Sequence, residues 1–327
     1  MIRNSIAALA RFGLALVNAY AFSVAGFLLL RLLVGESWSL VALFNSFIHL
    51  LLIPALLLLP LMLVLRRRLS SGLLIPAVLA FALGYGTMFL PRSVEAAPSA
   101  SQLHLLTYNL HSSATGFDSQ MALIRESGAD VVAMQELSTE MAAALQRDLS
   151  DVYPYQALHG TPVNGIPGQG VLSRFPLEDD SYWRIYLAHQ RVRFDFAGRT
   201  ITLYNEHPIH PLRPGGYDQH RAETDDLLRR TSAETSPLLL AGDFNMSDQS
   251  TDYWRIASRY TDAYRAVGWG MGFSFPAMMP FVSRMVPLVR LDYVFHNADF
   301  ETLEARVWPH SGGSDHFPVS VTLQYSS

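Results

Sequence analysis

The 327-residue sequence contains no cysteine and no lysine, and only 16% of its residues are charged. Without cysteine the protein has no disulfide, no thiolate metal ligand and no cysteine nucleophile. Soluble proteins usually have about 25% charged residues, whereas here half of the residues are apolar. This composition excludes a disordered chain and a single soluble domain.

The charges are divided unevenly along the chain. Residues 1–100 contain seven arginines and two acidic residues, which gives a formal charge of +5. Residues 101–327 contain 17 arginines and 26 acidic residues, which gives −9. Because tight binding of long nucleic acid needs cations along the phosphate track, the acidic second part is a poor candidate for that role.

Three apolar runs lie in the first hundred residues, at about 12–33, 40–65 and 73–90. Each run has about the 17–25 residues that cross a hydrocarbon core. Buried core helices are one alternative, but soluble cores do not supply three such runs separated by short loops. A signal peptide is another, yet its cleavage region would lie behind three runs instead of one. The sequence therefore predicts a membrane domain over 1–91 with three transmembrane helices, followed by a linker over 92–102.

The arginines predict how these helices are oriented. Arg3 and Arg11 precede the first run, and three consecutive arginines at 66–68 lie between the second and third runs. Two crossings separate the groups, so both lie on one side, which the positive-inside rule makes the cytoplasm. We therefore expect a multi-pass protein of the cell membrane (inner or plasma), with a cytoplasmic N-terminus and with residues 103–327 outside the cytoplasm.

Residues 103–327 show the patterns of an α/β domain. The predicted strands are 103–108, 131–134, 170–173, 192–196, 201–205, 238–241, 291–295 and 319–324. The predicted helices are 119–127, 139–149, 217–231 and about 251–259. Strands that alternate with helices in some places and follow one another directly in others indicate a mixed α/β sandwich.

Polar side chains recur where the predicted strands begin or end. They are Asn109, Glu136, His207, Asp243, Asn245, Asp292, Asp315 and His316. A lone Asp after a strand usually caps a turn, and a lone His is more often a structural hydrogen-bonding group. Strand ends meet at the edges of a sheet, however, so residues scattered in sequence can form one cluster. The whole set therefore predicts a functional site.

The motifs that carry these residues resemble, in the same order, those of the endonuclease/exonuclease/phosphatase superfamily, to which deoxyribonuclease I belongs. They are Tyr-Asn at 108–109, Gln-Glu at 135–136, Asn-x-His at 205–207, Gly-Asp-Phe-Asn at 242–245, Arg-Leu-Asp-Tyr at 290–293 and Ser-Asp-His at 314–316. The resemblance spans about 103–325. It implies a four-layer αββα sandwich over 103–327, preceded here by the three transmembrane helices, and divalent-metal-dependent cleavage of phosphoester bonds.

The metal site that the resemblance implies is built from oxygen donors. Glu136 is the best candidate ligand, with Asn109 and Asp315 beside it. Carboxylate and amide oxygens with few imidazoles and no thiolate favour Mg²⁺ or Mn²⁺ over Zn²⁺. One position departs from the family, because His111 stands where its nucleases often have an Asp, so a second metal or base contact is not implied.

The resemblance also implies catalytic roles. Asp243 would orient or deprotonate the attacking water, and Asn245 would hydrogen-bond the phosphate. His316 would contact a phosphoryl oxygen while Asp292 holds its ring and favours the imidazolium. His207 would stabilise the transition state or protonate the leaving oxygen.

The loop before Asp292, residues 273–289, is apolar except for one arginine. It is either a buried connection that packs on the sheet or an apolar lip that enters the membrane interface or holds an acyl chain. The predicted substrate-binding residues are Arg174, Met278, Met279 and Phe281.

We therefore expect a membrane-anchored phosphoesterase that acts on a lipid-linked or envelope phosphoester outside the cytoplasm, with the lipid bilayer and this substrate as its only inferred partners. One alternative is an extracytoplasmic endo- or exonuclease of the same superfamily. Another is a non-catalytic membrane binding protein on the same fold. The intact polar set argues against that last alternative, since binding alone has no chemical need for it.

Overall fold

The computed structural model describes residues 2–90, 92–97, 100–114, 116–163, 165–278 and 284–326. The chain divides into two units. One comprises Met1–Phe89 with Gln249–Thr251, and the other comprises Leu90–Asp248 with Asp252–Ser327. The predicted substrate-binding residues Met279 and Phe281 lie outside the described residues.

The described part of the first unit is helical, as its apolar composition predicts. Its elements are α1 (Ile2–Val34), α2 (Ser39–Ser46), α3 (Ile48–Val64) and α4 (Arg68–Tyr85), with 3₁₀ turns at Gly35–Ser37 and Gly86–Phe89. Two helices, Ser5–Ser37 and Arg68–Phe89, are long and apolar enough to cross a membrane. The pair α2 and α3 is bent by 55° and gives a third crossing only if it is counted as one span. The N-terminal helices thus could cross a membrane two or three times, and the run at 40–65 forms a bent pair instead of one straight helix.

The described residues of the second unit form two six-stranded sheets. In spatial order the first sheet comprises β11 (Phe300–Val307), β12 (Val319–Tyr325), β1 (Gln102–Asn109), β2 (Val131–Leu137), β4 (Gly168–Ser173) and β3 (Tyr155–His159). The second sheet comprises β5 (Leu177–Arg184), β6 (Ala188–Phe196), β7 (Arg199–Glu206), β8 (Leu238–Asp243), β10 (Asp292–His296) and β9 (Thr261–Asp262).

Helices cover the outer face of each sheet. They are α5 (Phe117–Ser127), α6 (Thr139–Asp148), α7 (Gly216–Thr231) and α8 (Thr251–Ala257). The short α9 (Ala263–Val267) instead lies against β11 of the first sheet and β10 of the second. The apolar faces of α5 and α6 pack on the first sheet through residues such as Ile124 and Leu145. Leu227 of α7 and Tyr253 of α8 pack on the second.

A third apolar cluster fills the space between the sheets. Leu105 and Val131 of the first sheet meet Phe194, Leu203 and Val294 of the second, and all five are buried. Side chains alternate across a strand, so each inner strand buries one face here and the other face under helices. The result is the four-layer αββα sandwich that the resemblance implies, so the predicted fold is confirmed.

Candidate active site

The strand directions bring the predicted residues to one edge of the sandwich. β1 pairs with β2 in parallel, and β7 pairs with β8 in parallel, so the carboxyl ends of each pair lie together. β10 and β12 run antiparallel to their neighbours, so their amino ends lie at the same edge. In that register Asp292 is directly opposite Asp243. Asp315 and His316 immediately precede β12 and reach the same edge.

A β-bulge turns Glu136 toward the site. The pairing of β2 with β4 shifts between Gln135 and Leu137, and Glu136 has a φ of 55°, a left-handed conformation that is disfavoured for residues other than glycine. Its side chain is 24% exposed, although its strand is otherwise buried. The bulge therefore re-aims one carboxylate out of a core strand.

Glu136 is held as a carboxylate by hydrogen bonds. Oε1 accepts from the amide of Asn109 at 3.2 Å, and Oε2 accepts from the backbone N–H of Ser112 at 3.1 Å. Burial alone would raise the pKa of Glu136, but the charge of His207 and these two hydrogen bonds lower it below its usual value. The group is thus ionised and partly accessible, as a metal ligand must be.

Asp243 lies at the centre of the cluster. Its Oδ2 accepts a hydrogen bond from Asn109 Nδ2 at 2.9 Å and lies 3.7 Å from His207 Nε2 and 3.6 Å from His316 Nε2. Its Oδ1 accepts from the backbone N–H of Asn245 at 2.9 Å. Burial and the nearby Asp292 raise the pKa of Asp243 in spite of the two histidines.

His316 and Asp292 form a buried pair. The distance from His316 Nδ1 to Asp292 Oδ2 is 2.9 Å, which leaves Nε2 directed toward Asp243. Although burial alone would lower the pKa of His316, the carboxylates of Asp292 and Asp243 raise it to about 10. His316 is consequently an imidazolium at neutral pH. The ring of Phe275 packs beside it with centroids 4.7 Å apart.

The ring of His207 is held differently. Nε2 lies 3.8 Å from Glu136 Oε1 and 3.7 Å from Asp243 Oδ2, and both distances are too long for a hydrogen bond. Nδ1 is buried and has no hydrogen-bond partner among the described residues. Asn245, two residues after Asp243, donates from Nδ2 to the backbone oxygen of Pro208, next to His207, at 3.0 Å.

Asp315 pairs with His111, the position that departs from the family. His111 Nδ1 lies 3.1 Å from Asp315 Oδ1, and the His111 backbone N–H donates to Asn109 Oδ1 at 2.9 Å. The Asp315 carboxylate raises the pKa of His111. Burial alone would raise the pKa of Asp315, but His111 lowers it below its usual value. His111 is thus a residue of the site to which sequence reasoning assigned no role.

The structure gathers the eight polar residues but not every predicted substrate-binding residue. Arg174 follows β4 at the opposite edge, where Nη1 lies 3.1 Å from Asp130 Oδ1. We therefore leave Arg174 out of the site. Met278 is half-buried beside Ala277, whose backbone N–H donates to the backbone oxygen of Asp315 at 2.6 Å.

Buried amides join the two sheets behind the site. Gln135 Nε2 donates to Asn205 Oδ1 at 2.7 Å, and Asn205 Nδ2 donates to the backbone oxygen of Met134 at 3.0 Å. Gln135 precedes Glu136, and Asn205 lies two residues before His207. The hydrogen bonds between these two amides therefore help to set the distance between Glu136 and His207. Amides at core-facing positions of strands are the signal that could have found these hydrogen bonds.

Comparisons with known proteins agree with this arrangement. Residues 106–316 match the sequence model of the endonuclease/exonuclease/phosphatase family. The structure is similar to a family member from Leptotrichia buccalis C-1013-b, with a TM-score of 0.55 at 20% identity, covering 68% of this chain and 100% of that one. It is also similar to a family member from Bacteroides thetaiotaomicron, with a TM-score of 0.53 at 16% identity, covering 70% and 99%.

A third similar structure is that of D. rerio TDP2 complexed with a single-strand DNA product, with a TM-score of 0.55 at 14% identity, covering 68% of this chain and 99% of that one. No curated protein sequence matches the chain. At these identities the structures establish the fold, while the match of the family model covers more than half of the chain. The chain therefore belongs to the endonuclease/exonuclease/phosphatase family, whose members are metal-dependent hydrolases of phosphoester bonds.

Proposed function

We propose that this chain is a membrane-anchored phosphoesterase that hydrolyses a lipid-linked or envelope phosphoester outside the cytoplasm, using Mg²⁺ or Mn²⁺. One observation above all supports the hydrolytic part. A single carboxylate oxygen of Asp243 lies within 4 Å of Asn109, His207 and His316. Such a carboxylate can take a proton from water while the imidazolium of His316 beside it stabilises a phosphoryl oxygen.

Glu136, Asn109 and Asp315 are the proposed metal ligands. Their oxygen donors fit a hard divalent cation, and Glu136 combines ionisation with partial exposure. A divalent cation held by these residues would supply charge neutralisation of the phosphate and would lower the pKa of a bound water. Asp243, Asp292 and His316 also place one ligand atom each within 4.8 Å of one another. We assign this second group to proton transfer, because a hydrogen bond already joins His316 to Asp292.

The other residues have roles that their contacts support. Asp243 orients or deprotonates the attacking water. Asn245 uses one amide hydrogen on Pro208 and has the other available for a phosphate oxygen. His316 donates from Nε2 to a phosphoryl oxygen, since Asp292 occupies Nδ1. His207 protonates the leaving oxygen or stabilises the transition state.

The membrane part of the proposal rests on the apolar helices and on a short connection. The linker over 92–102 reaches at most about 40 Å when fully extended, so the catalytic domain stays near the bilayer to which the helices anchor it. Its formal charge of −9 opposes the binding of long nucleic acid.

An apolar cavity supports a lipid-like substrate. Its volume is about 740 Å³, and it lies beside the 309–317 loop that carries Asp315 and His316. Met285, Val286, Pro287 and Phe317 line it, and Val286 is 78% exposed. Arg284 and Glu126 place one charge of each sign on its wall, so the cavity suits an apolar group attached to a polar head.

A nuclease outside the cytoplasm is the second candidate, and the observation in its favour is the fold likeness to D. rerio TDP2, whose structure holds a single-strand DNA product. The test is a paired assay. Full-length protein in lipid nanodiscs with Mg²⁺ is given plasmid DNA, single-stranded DNA and a panel of phospholipids, with a Glu136→Gln preparation as the blank. We expect release of a phosphorylated head group or of phosphate. Cleavage of DNA with no lipid product would establish the nuclease instead.

A further inference from the structure

A buried charged cluster lies immediately behind His207. It comprises His189 at the start of β6, Glu206 at the end of β7 and Glu223 on α7, and the side chains are at most 2% exposed. The distance from His189 Nδ1 to Glu206 Oε2 is 2.7 Å, and that from His189 Nε2 to Glu223 Oε1 is 3.3 Å. Both ring nitrogens of His189 thus face carboxylates. We call these three residues the His189 cluster.

The His189 cluster contacts the backbone on both sides of His207. Glu206 immediately precedes His207. On the other side, Glu223 Oε2 accepts from the backbone N–H of Ile209 at 2.6 Å. Glu223 Oε1 also accepts from the backbone N–H of Leu187 at 2.7 Å, which ties in the turn before β6. The backbone of residues 206–209 is therefore fixed by groups that do not reach the reacting atoms.

This matters because the His207 ring has no partner of its own. A catalytic imidazole is commonly oriented by a carboxylate on its second nitrogen, and Asp292 does this for His316. His207 Nδ1 has no partner among the described residues, and its Nε2 contacts are longer than hydrogen bonds. Its orientation therefore depends on the backbone that carries it and on the packing around its buried ring.

We propose that His189 and Glu223 are positioning residues that fix the His207 ring through its flanking backbone, in place of a hydrogen bond to the ring itself. Neither residue touches the substrate. The proposal rests on the role of His207 in protonating the leaving oxygen, as proposed above. A loosened 206–209 segment would slow leaving-group departure while leaving the proposed metal ligands Asn109, Glu136 and Asp315, which lie outside the segment, in place.

The test compares two substrates that differ only in the leaving group, methyl 4-nitrophenyl phosphate and methyl phenyl phosphate. Nitrophenolate departs as a stable anion and needs little protonation, whereas phenolate needs a proton from the enzyme. Full-length wild type, His189→Gln, Glu223→Gln and His207→Gln are assayed with Mg²⁺ in nanodiscs. Glu234→Gln is the matched control, because Glu234, in the loop after α7, pairs with Arg191 of β6 and accepts from the Tyr204 hydroxyl, and among the described residues no hydrogen bond or ion pair joins it to residues 206–209.

We expect His189→Gln and Glu223→Gln to lower kcat for the phenyl ester at least about 10-fold. KM should stay within about twofold, and the nitrophenyl ester should change by less than about threefold. Glu234→Gln should show no leaving-group dependence. If one variant of the cluster does not fold, the other gives the answer.

Equal losses on both esters, together with a lower Tm, would show that the cluster is structural only and would overturn the inference. So would a leaving-group effect in His207→Gln that neither cluster variant reproduces. If His207→Gln itself shows no leaving-group dependence, the proposed role of His207 fails first. That result is distinct from a failure of the cluster alone, and it removes the positioning role as well.

Discussion

At the scale of single residues, the backbone of Glu136 is strained because a carboxylate at the end of a buried strand must be turned toward the site. A left-handed conformation at a residue other than glycine costs about 1–3 kcal/mol and persists only where the surroundings enforce it. Here the bulge in β2 enforces it, and hydrogen bonds from Asn109 and Ser112 hold the side chain. A substitution that keeps the side-chain shape leaves this strain unchanged and isolates the effect of the charge.

Glu136→Gln is that substitution. It removes the charge of the proposed metal ligand, so hydrolysis of an aryl phosphodiester should fall at least about 100-fold. Mg²⁺ binding measured by calorimetry should weaken in parallel, while Tm changes little. Glu140→Gln, at an exposed position of α6, is the control and should behave as wild type. Full activity of the wild type in EDTA would contradict the metal-dependent mechanism.

The pKa shifts of Asp243 and His316 predict a broad, bell-shaped pH profile. Asp243 must be ionised to act as a base, and its raised pKa places the acid limb of kcat/KM above the ordinary range of an aspartate. His316 must be protonated to donate, and its pKa of about 10 places the alkaline limb there. The value of kcat/KM should thus rise as the pH passes the raised pKa of Asp243 and fall as it passes the pKa of His316.

The variant Asp292→Asn tests whether His316 is the group that sets the alkaline limb. It removes the carboxylate that contributes most to raising the pKa of His316, so the alkaline limb should move to lower pH, toward the ordinary value for histidine. The measurement is kcat/KM against pH for the wild type and the variant under the same metal concentration. An alkaline limb that stays near its wild-type position would assign it to a group other than His316.

At the scale of elements, the position of a strand in its sheet decides how well the sequence predicts it. The eight predicted strands correspond to β1, β2, β4, β6, β7, β8, β10 and β12, and all lie inside their sheets. The four that sequence reasoning misses are β3, β5, β9 and β11, and each lies at an edge. In β5 no residue is fully buried, so neither a continuous apolar run nor a regular alternation marks it.

The same physical limit applies to the site and to the membrane helices. Strand-end motifs predict Asp243, Asp292 and His316, because such residues must reach the edge wherever the sheet forms. Contacts made between distant elements, such as Glu223 with Ile209, leave no local pattern. Hydropathy similarly marks residues 40–65 as apolar but does not reveal the 55° bend between α2 and α3.

The segment that follows the undescribed residues 279–283 supplies a prediction about substrate. Met285 and Val286 line the apolar cavity, and each contributes roughly 1.5–3 kcal/mol when it is buried against an apolar ligand. Changing both to Ser should lower turnover of a bilayer-embedded phosphoester about 10-fold or more. Turnover of a small soluble diester should stay unchanged. The comparison uses the same nanodisc preparation for both substrates.

Tyr155→Ser is the control, since Tyr155 is also exposed but begins β3 at the opposite edge of the sheet. If the double variant loses both activities and its Tm drops, the half-buried Met285 supports the fold, where truncation of a buried residue costs about 2–5 kcal/mol. A folded variant with unchanged turnover of the bilayer substrate would remove the cavity from the lipid proposal.

At the scale of the whole molecule, the two parts of the chain differ in charge and in hydrophobicity. The apolar first hundred residues, with a net positive charge, have the composition of a membrane anchor, and the acidic remainder carries the hydrolytic site. The chemistry is set by the family, but the substrate depends on the side of the membrane on which the site lies. Nucleic acid is abundant in the cytoplasm, envelope phosphoesters lie outside it, and phospholipid head groups face both sides of the membrane. Sidedness is therefore the property of the whole molecule that most constrains its substrate.

A reporter fusion after Ser327 tests that sidedness. Arg3, Arg11 and the arginines at 66–68 outnumber Arg31 and Arg92 at the other ends of the helices, so the positive-inside rule places the N-terminus in the cytoplasm. With three crossings, a reporter active only outside the cytoplasm should be active, and a reporter active only in the cytoplasm should be silent. If the bent pair α2 and α3 does not cross, two crossings return the catalytic domain to the cytoplasm and the pattern reverses. Truncated fusions after Arg67 and after Glu95 test whether α4 crosses the membrane. Only if it does should the reporter lie on opposite sides in the two fusions. A cytoplasmic catalytic domain would make nucleic acid the leading substrate.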